Sequence, residues 1–194
     1  MKRVFPFLGL LGLCLALAAP ASADSCNGVT MSSTVTLRNG TELQLNGMGT
    51  REATVFNVNV YVAGLYVETK SSDPQAILAD TVAKRITIKT VREITQEDLS
   101  DAFTDAIGAQ AANRVIAKMF PPLADGEDLD DQDIPSGTQW TFTYLPEADG
   151  RGARLVIGAR GAGGAIGGAA FARRFFNIWL GSNPPNAGLR SGML

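Results

Sequence analysis

The sequence predicts an α+β protein in which helices pack against one antiparallel β-sheet. Three observations support this class. The chain begins with closely spaced strand-like segments, continues with two helical segments, and ends with more strand-like segments before an apolar helix. Short turns between the strand-like segments favour antiparallel neighbours.

Turn signals separate the strand-like segments of the first third of the chain. Asn39-Gly40 is a typical two-residue hairpin turn. Gly47 and Gly49 are expected to form a turn just before Arg51, and another turn is expected near Asn57. The predicted strands are residues 33–38, 41–45, 50–56 and 58–68.

The segment 58–68 carries apolar side chains on both faces. Val58, Val60 and Val62 point to one side, and Tyr61, Ala63, Leu65 and Val67 point to the other. A strand that is apolar on both faces is typical of a central strand covered on both sides.

Two amphipathic helices are predicted in the middle of the chain. Thr95 is a typical N-cap, with Asp98 three residues later. Apolar residues then recur at helical spacing on both sides of Gly108, so both helices should pack on the sheet. The apolar positions are Leu99, Ala102, Phe103, Ala106, Ile107, Ala112, Val115, Ile116, Met119 and Phe120.

The remaining elements follow from similar patterns. Asp73-Pro74 should open a short helix that ends near Ala79, and Pro121 and Pro122 should stop the second amphipathic helix. Further strands are predicted at 84–94, 138–145, 153–159 and from Gly161 to Ile166, with helices at 169–180 and 186–193.

Residues 1–23 have the pattern of a cleaved secretory signal peptide. Lys2 and Arg3 precede an apolar run, and Ala21-Ser22-Ala23 is a small-x-small cleavage site. A lipoprotein anchor at Cys14 is the alternative, but Leu13 before it is not small. Residues 24–194 are therefore expected to form one domain in the periplasm, without a transmembrane segment after processing.

The composition excludes several function classes. The chain contains no histidine, which excludes Ser-His-Asp and Cys-His nucleophile systems and most zinc sites. We therefore expect no metal and no cofactor. A net charge of −2 with scattered arginines argues against nucleic acid as a partner. After signal cleavage Cys26 is the sole cysteine, expected in a frayed terminus or, alternatively, as a link between two copies.

Two further segments have a structural and a functional interpretation. The acidic run 125–133 lacks the spacing of an EF-hand loop, so a solvated turn is favoured over a calcium site. The glycine-rich run 158–168 fails the phosphate-loop patterns and favours hairpin turns. An anion held by Gly167 and Gly168, near Arg173 and Arg174, is the alternative.

Arg51 is the main candidate for ligand binding. A lone cation that opens an apolar strand suggests a pocket for an apolar ligand with an acidic or carbonyl group. Tyr61, Thr54 and Asn59 on the same two strands are further candidates. Alternatively, Arg51 could form a structural salt bridge and Tyr61 could be a core aromatic. The possible carboxylate partners are Glu52, Glu68 and Glu93.

Three segments resemble the chalcone isomerase family. GMGTREATVFNVNVYVAGLYVE at 47–68 is similar to its glycine-rich turn, arginine and following strand. Arg92-Glu93-Ile94 and the helix after it resemble its strand-to-helix junction, and FFNIWLGSNPPNAGL at 175–189 resembles its closing helix. The resemblance implies an open-faced β-sandwich, a large antiparallel sheet against a layer of helices, as in chalcone isomerases and plastid fatty-acid-binding proteins.

The resemblance also implies roles for individual positions. In chalcone isomerases the arginine at the position of Arg51 polarises the substrate, helped by a threonine whose position is Tyr61 here. The family's tyrosine, lysine and asparagine on the helix correspond to Leu99, Ala102 and Ala106, so this helix stripe should become continuous core. Loss of groups that stabilise developing charge argues against efficient cyclisation.

Three functions therefore remain as hypotheses. The leading one is a non-catalytic periplasmic protein that binds a fatty acid or similar apolar carboxylate through Arg51 and Tyr61, as the fatty-acid-binding branch does. The second is an intramolecular lyase or isomerase for an enone-like substrate, with Arg51 as electrophile and Tyr61 as proton donor. The third is an envelope interaction protein with a filled core.

Overall fold

The computed structural model describes residues 23–53, 58–120, 133–146 and 150–194. These residues form eleven strands and five helices. The strands are β1 Ala23–Cys26, β2 Val29–Ser32, β3 Thr34–Thr36, β4 Glu42–Ala53, β5 Val58–Val67, β6 Lys84–Thr90, β7 Ile94–Thr95, β8 Asp133–Ile134, β9 Gln139–Leu145, β10 Arg154–Ala159 and β11 Ala162–Gly167. The helices are α1 Pro74–Leu78, α2 Gln96–Ile107, α3 Ala109–Met119, α4 Ala169–Leu180 and α5 Ala187–Met193.

A seven-stranded antiparallel sheet is the centre of the fold. Its strand order is β11-β10-β9-β6-β5-β4-β3. One face packs against the helices and holds the larger apolar core. The small β1-β2 hairpin contributes Val29 and Met31 to a second core on the other face. The predicted α+β class, an open-faced sandwich of a large sheet and a helical layer, is confirmed.

Strand β5 is apolar on both faces, as predicted. Ala63 and Leu65 are fully buried in the core beneath the helices. Val62 and Tyr66 are buried in the core beneath the β1-β2 hairpin. Tyr61, on the same face as Ala63 and Leu65, is half-buried and packs against the core beneath the helices.

The turn predicted at Gly47 and Gly49 is wrong, because β4 runs without interruption from Glu42 to Ala53. A Cβ added at Gly49 would lie under 3.0 Å from the Leu189 carbonyl oxygen, and one at Gly47 would meet Gly192 in the same way. The two glycines therefore serve close packing of β4 against α5. A register shift between Leu45 and Gly47 marks a bulge in the strand.

Two other predictions are corrected. The segment 84–94 is not one strand, because β6 ends at Thr90 and β7 begins at Ile94. Cys26 does not lie in a frayed terminus, since it pairs with Val29 in the β1-β2 hairpin and is half-buried. The predicted turn near Asn57, most of the acidic run and residues 1–22 lie outside the described residues.

The helix ends follow their local sequences. Thr95 accepts a hydrogen bond from the Asp98 amide at 3.0 Å, which confirms the predicted N-cap of α2. Asp73 caps α1 through the Gln75 amide at 2.9 Å. Gly108, at a φ of 77°, lies between α2 and α3 and lets the chain change direction there.

Lys84, the first residue of β6, is buried although it carries an amine. Its side chain is 1% exposed, and Nζ donates to the carbonyl oxygens of Ala79 at 2.8 Å and Val82 at 3.2 Å. Nζ also lies 4.5 Å from the centre of the Tyr144 ring. Burial disfavours the charged form and lowers the pKa of Lys84 to about 8.

This burial predicts a rise in stability with pH. Between pH 8 and 10 an unfolded chain keeps the Lys84 proton while the folded protein releases it, and stability increases wherever the unfolded state binds more protons. We expect the free energy of unfolding to increase by about 2 kcal/mol over this range. Lys84→Met should abolish the increase, measured by urea unfolding at a series of pH values.

Lys70→Met is the matched control, because Lys70 is exposed. In Lys70→Met the free energy of unfolding should still increase with pH as it does in the wild type. The series stops at pH 10 because burial raises the pKa of Tyr61 and Tyr66, which lowers stability once tyrosines of the unfolded chain ionise. An increase of the same size in Lys84→Met would contradict the assignment.

Candidate functional site

A cleft of about 1140 Å³ opens between the sheet and the helical layer beside Arg51. Its walls come from β4, β5 and β6, from α2 and α4, and from the loop 181–185 after α4. Small-molecule sites commonly measure roughly 300–1,000 Å³, so the space suffices for a long ligand. A filled core without a cavity beside Arg51, the third alternative from the sequence, is not what the structure shows.

Arg51, Tyr61 and Thr90 form a row across three neighbouring strands on the cleft wall. Arg51 of β4 lies opposite Tyr61 of β5, and Tyr61 lies opposite Thr90 of β6. All three line the cleft. The sheet register therefore places a cation beside a phenol on the cleft wall.

The guanidinium of Arg51 is half-buried and bonds the backbone rather than an acid. Nη1 donates to the backbone carbonyl of Glu52. Across the part of the chain that the structure describes, Arg51 forms no salt bridge, and Glu68 instead accepts from the Ala83 amide at 2.6 Å. The proposed internal salt bridge with Glu52, Glu68 or Glu93 is therefore absent from these residues.

Tyr61 keeps its proton and can donate it. The hydroxyl oxygen accepts a hydrogen bond from Trp179 Nε1 at 3.0 Å. Burial raises the pKa of Tyr61 to about 12, although Trp179 and Arg51 both act to lower it. At neutral pH the side chain is therefore a neutral hydrogen-bond donor beside Arg51.

Thr90 is a cleft residue that the sequence did not single out. It is 2% exposed, and its hydroxyl donates to the Pro135 carbonyl at 2.8 Å. Because the hydroxyl proton of Thr90 is already donated to Pro135, Thr90 is not available as a donor to a ligand. It contributes to the shape of the cleft wall. The pairing of Thr90 with Tyr61 depends on the register between β5 and β6. The alternation of apolar and polar residues along each strand does not determine that register.

Part of the helical wall opposite the sheet is apolar and accessible. Leu99, Ala102 and Ala106 of α2 line the same cleft as Arg51. Ala102 and Ala106 are exposed, whereas Phe103 and Ile107 are buried. The expectation of a continuous core stripe is therefore wrong, because the cleft separates this side of α2 from the sheet.

Both tryptophans lie where the cleft meets the core. Trp140 is 2% exposed and Trp179 is 1% exposed, and both border the cleft. Trp140 Nε1 donates to the Met119 carbonyl at 3.3 Å. The indoles are mainly core side chains.

Of the other two predicted site residues, the structure describes only Asn59, and it does not line the cleft. Asn59 lies in β5 opposite Glu52 and is absent from the lining of the cleft. Thr54 lies outside the described residues. Arg51 and Tyr61 are thus the two candidates that the fold brings together.

Charged side chains also line the cleft. Arg174 comes from α4 and Arg190 from α5, and acidic side chains come from α2. Arg190 Nε donates to the Leu180 carbonyl at 3.1 Å. Arg173, by contrast, pairs with Asp80 through Nε at 3.1 Å and through Nη2. The acidic residues of α2 that line the cleft are Asp98, Asp101 and Asp105.

Two other kinds of feature are absent from the described ranges. They contain no cluster of three or more side chains suited to hold a metal ion. None of their helices combines the length and the apolar character needed to cross a bilayer.

Comparisons with known proteins agree with this architecture. A family model described as chalcone isomerase-like matches residues 23–194. The crystal structure of a fatty-acid-binding protein of Arabidopsis thaliana is similar, with a TM-score of 0.63 and 14% sequence identity over 89% of this chain and 95% of that chain. At that identity the similarity shows the fold alone. A comparison with curated protein sequences gives no significant match.

Proposed function

Because the chain belongs to the chalcone isomerase-like family, we propose that it is a periplasmic, non-catalytic member that binds a fatty acid or similar apolar carboxylate in the cleft. One observation carries the proposal. Arg51 and Tyr61 lie side by side on the cleft wall, and no described carboxylate pairs with the arginine. The fatty-acid-binding protein of similar fold supports the same ligand class.

The two side chains are suited to a carboxylate. A guanidinium stays charged at any physiological pH and can form two parallel hydrogen bonds to a carboxylate. Tyr61 adds a neutral donor beside it. A half-buried guanidinium without a carboxylate partner is stabilised when an anion binds.

The remainder of the cleft is suited to an alkyl chain. Leu99, Ala102 and Ile178 present apolar surface from the helices, and Ile88 presents it from the sheet. Each methylene removed from water contributes about 0.8 kcal/mol. The carboxylate would thus orient the ligand, and burial of its alkyl chain would supply most of the affinity.

Native mass spectrometry of the protein isolated from its own periplasm tests this proposal. We expect the mature chain, residues 24–194, to carry a bound fatty acid that organic extraction releases. Recovery from the cytoplasm would contradict the location. Absence of lipid, together with equal palmitate affinity of wild type and Arg51→Gln, would contradict the ligand and the role of Arg51.

The second hypothesis, an isomerase for an enone-like substrate, has one observation in its favour. Tyr61 retains a proton beside Arg51 and could protonate a substrate that the arginine polarises. The apolar α2 side chains opposite supply no further group for developing charge. Turnover of a chalcone or enone that disappears in both Arg51→Gln and Tyr61→Phe would favour an enzyme over a binding protein.

Filling the cleft from the helical side should prevent binding. Ala102→Phe places a ring in open space on the exposed side of α2, so we expect bound lipid to be lost while the melting temperature stays close to wild type. Ala117→Phe is the matched control, because Ala117 is exposed on α3 and does not line the cleft. Retention of lipid by Ala102→Phe in native mass spectrometry would place the ligand elsewhere.

A further inference from the structure

A buried tryptophan behind Tyr61 determines where the Tyr61 hydroxyl can donate. Trp179 Nε1 lies 3.0 Å from the hydroxyl oxygen. An indole N–H is a donor with no acceptor capacity, so in this pair Tyr61 must accept. The Tyr61 proton is therefore directed away from Trp179.

Packing holds the Trp179 ring in place. Its centre lies 5.2 Å from that of Phe175, 6.1 Å from Phe142 and 6.5 Å from Phe103. The side chain is 1% exposed. The indole N–H thus has a fixed direction, whereas an exposed donor would change rotamer.

The Tyr61 hydroxyl proton is available to form a hydrogen bond with a ligand in the cleft. Among the residues that the structure describes, none accepts a hydrogen bond from the Tyr61 hydroxyl. Tyr61 lines the cleft and lies opposite Arg51 in the sheet. A group that accepts from Arg51 at this wall would also be within the range of Tyr61.

We propose that Trp179 is a positioning residue for the ligand carboxylate, acting through Tyr61. Its indole N–H turns the Tyr61 proton towards the anion that Arg51 binds. Because hydrogen bonds in a chain polarise one another, the same bond makes Tyr61 a stronger donor. This inference rests on the proposed function and assigns to Trp179 a role that packing alone would not require.

A double-mutant cycle on palmitate affinity tests the inference. Trp179→Phe keeps an aromatic ring and removes the N–H, and it should raise the Kd about fivefold, the effect of one neutral hydrogen bond. In a Tyr61→Phe background the same substitution should have no further effect. Trp140→Phe is the matched control, because its indole bonds to the Met119 carbonyl, and its effect should be the same in both backgrounds.

The outcomes separate this inference from the proposed function. Equal palmitate affinity of wild type and Arg51→Gln would overturn the proposed function and the inference with it. If Arg51→Gln weakens binding but Trp179→Phe binds like wild type, only the inference fails. An equal effect of Trp179→Phe with and without the Tyr61 hydroxyl would show a packing role and would also overturn it.

A second measurement needs no change at Trp179 and remains decisive if that variant does not fold. The chain contains two tryptophans, so its NMR spectrum has two indole N–H signals, which Trp140→Phe assigns. Palmitate should move the Trp179 signal downfield, because donation by Tyr61 makes its oxygen a better acceptor. No movement of that signal at saturating palmitate would overturn the inference.

Discussion

Arg51→Gln is expected to lower the affinity for palmitate about 100-fold. The substitution removes the charge and one arm of the two-pronged hydrogen bond while it keeps a polar side chain of smaller size. A hydrogen bond to a charged group contributes about 1.5–3 kcal/mol, which supports a loss of this size. Isothermal titration calorimetry with delipidated protein measures it.

Hexadecanol and Arg92→Gln are the controls for this experiment. The alcohol has the same chain without the carboxylate, so its affinity should change far less in Arg51→Gln. Arg92 is exposed and donates to the neighbouring Glu93 carbonyl, so its substitution should leave both affinities at the wild-type value. An equal loss for acid and alcohol would mean that Arg51 shapes the cleft rather than binding the anion.

Gly49→Ala is expected to produce the largest loss of stability among the changes discussed. The added Cβ would lie under 3.0 Å from both the carbonyl oxygen and the Cα of Leu189, and backbone atoms cannot move aside as a flexible side chain can. Overpacking of this kind destabilises by about 3 kcal/mol at its upper range. In a chain of this length that lowers the Tm by about 10 °C.

Gly188→Ala in the facing helix is the matched control. A Cβ at Gly188 meets no atom within 4 Å, so alanine there should raise helix stability by up to about 1 kcal/mol. Gly192→Ala should behave like Gly49→Ala, since its Cβ would contact the Met48 carbonyl at under 3.0 Å. Equal melting temperatures for Gly49→Ala and Gly188→Ala would show that β4 and α5 can separate without loss of stability.

The elements that depend on local sequence were predicted well. The apolar pattern of α4 gave its ends at Ala169 and Leu180. The alternation of β5 assigned its two faces, and Thr95 marked the start of α2. In each case the cause lies within the segment itself, in side-chain periodicity or in a cap.

The features that depend on distant contacts were not predictable in this way. The sequence favours a turn at Gly47 and Gly49, because it does not show that α5 packs onto β4. The position of Cys26, three residues into the expected mature chain, favours a frayed terminus, and its pairing with Val29 becomes visible only in the β1-β2 hairpin. Ala102 and Ala106 have the spacing of core residues, and only the gap between α2 and the sheet makes them cleft residues.

The candidate site was predicted in part for the same reason. A cation at the edge of an apolar strand singled out Arg51, and its neighbour Tyr61 lies within the same segment. The residues that surround these two side chains are distant from them in the sequence. Thr90 and Trp179 reach the site through sheet register and helix packing, which one sequence does not encode in any local pattern.

A crystal structure of the mature chain with palmitate tests the central claim most directly. We predict the carboxylate within hydrogen-bond distance of Arg51 and of the Tyr61 hydroxyl, with Trp179 Nε1 still bonded to the tyrosine oxygen. The alkyl chain should contact Leu99 and Ala102. Palmitate bound outside the cleft, or bound in it with its carboxylate away from Arg51, would contradict the account.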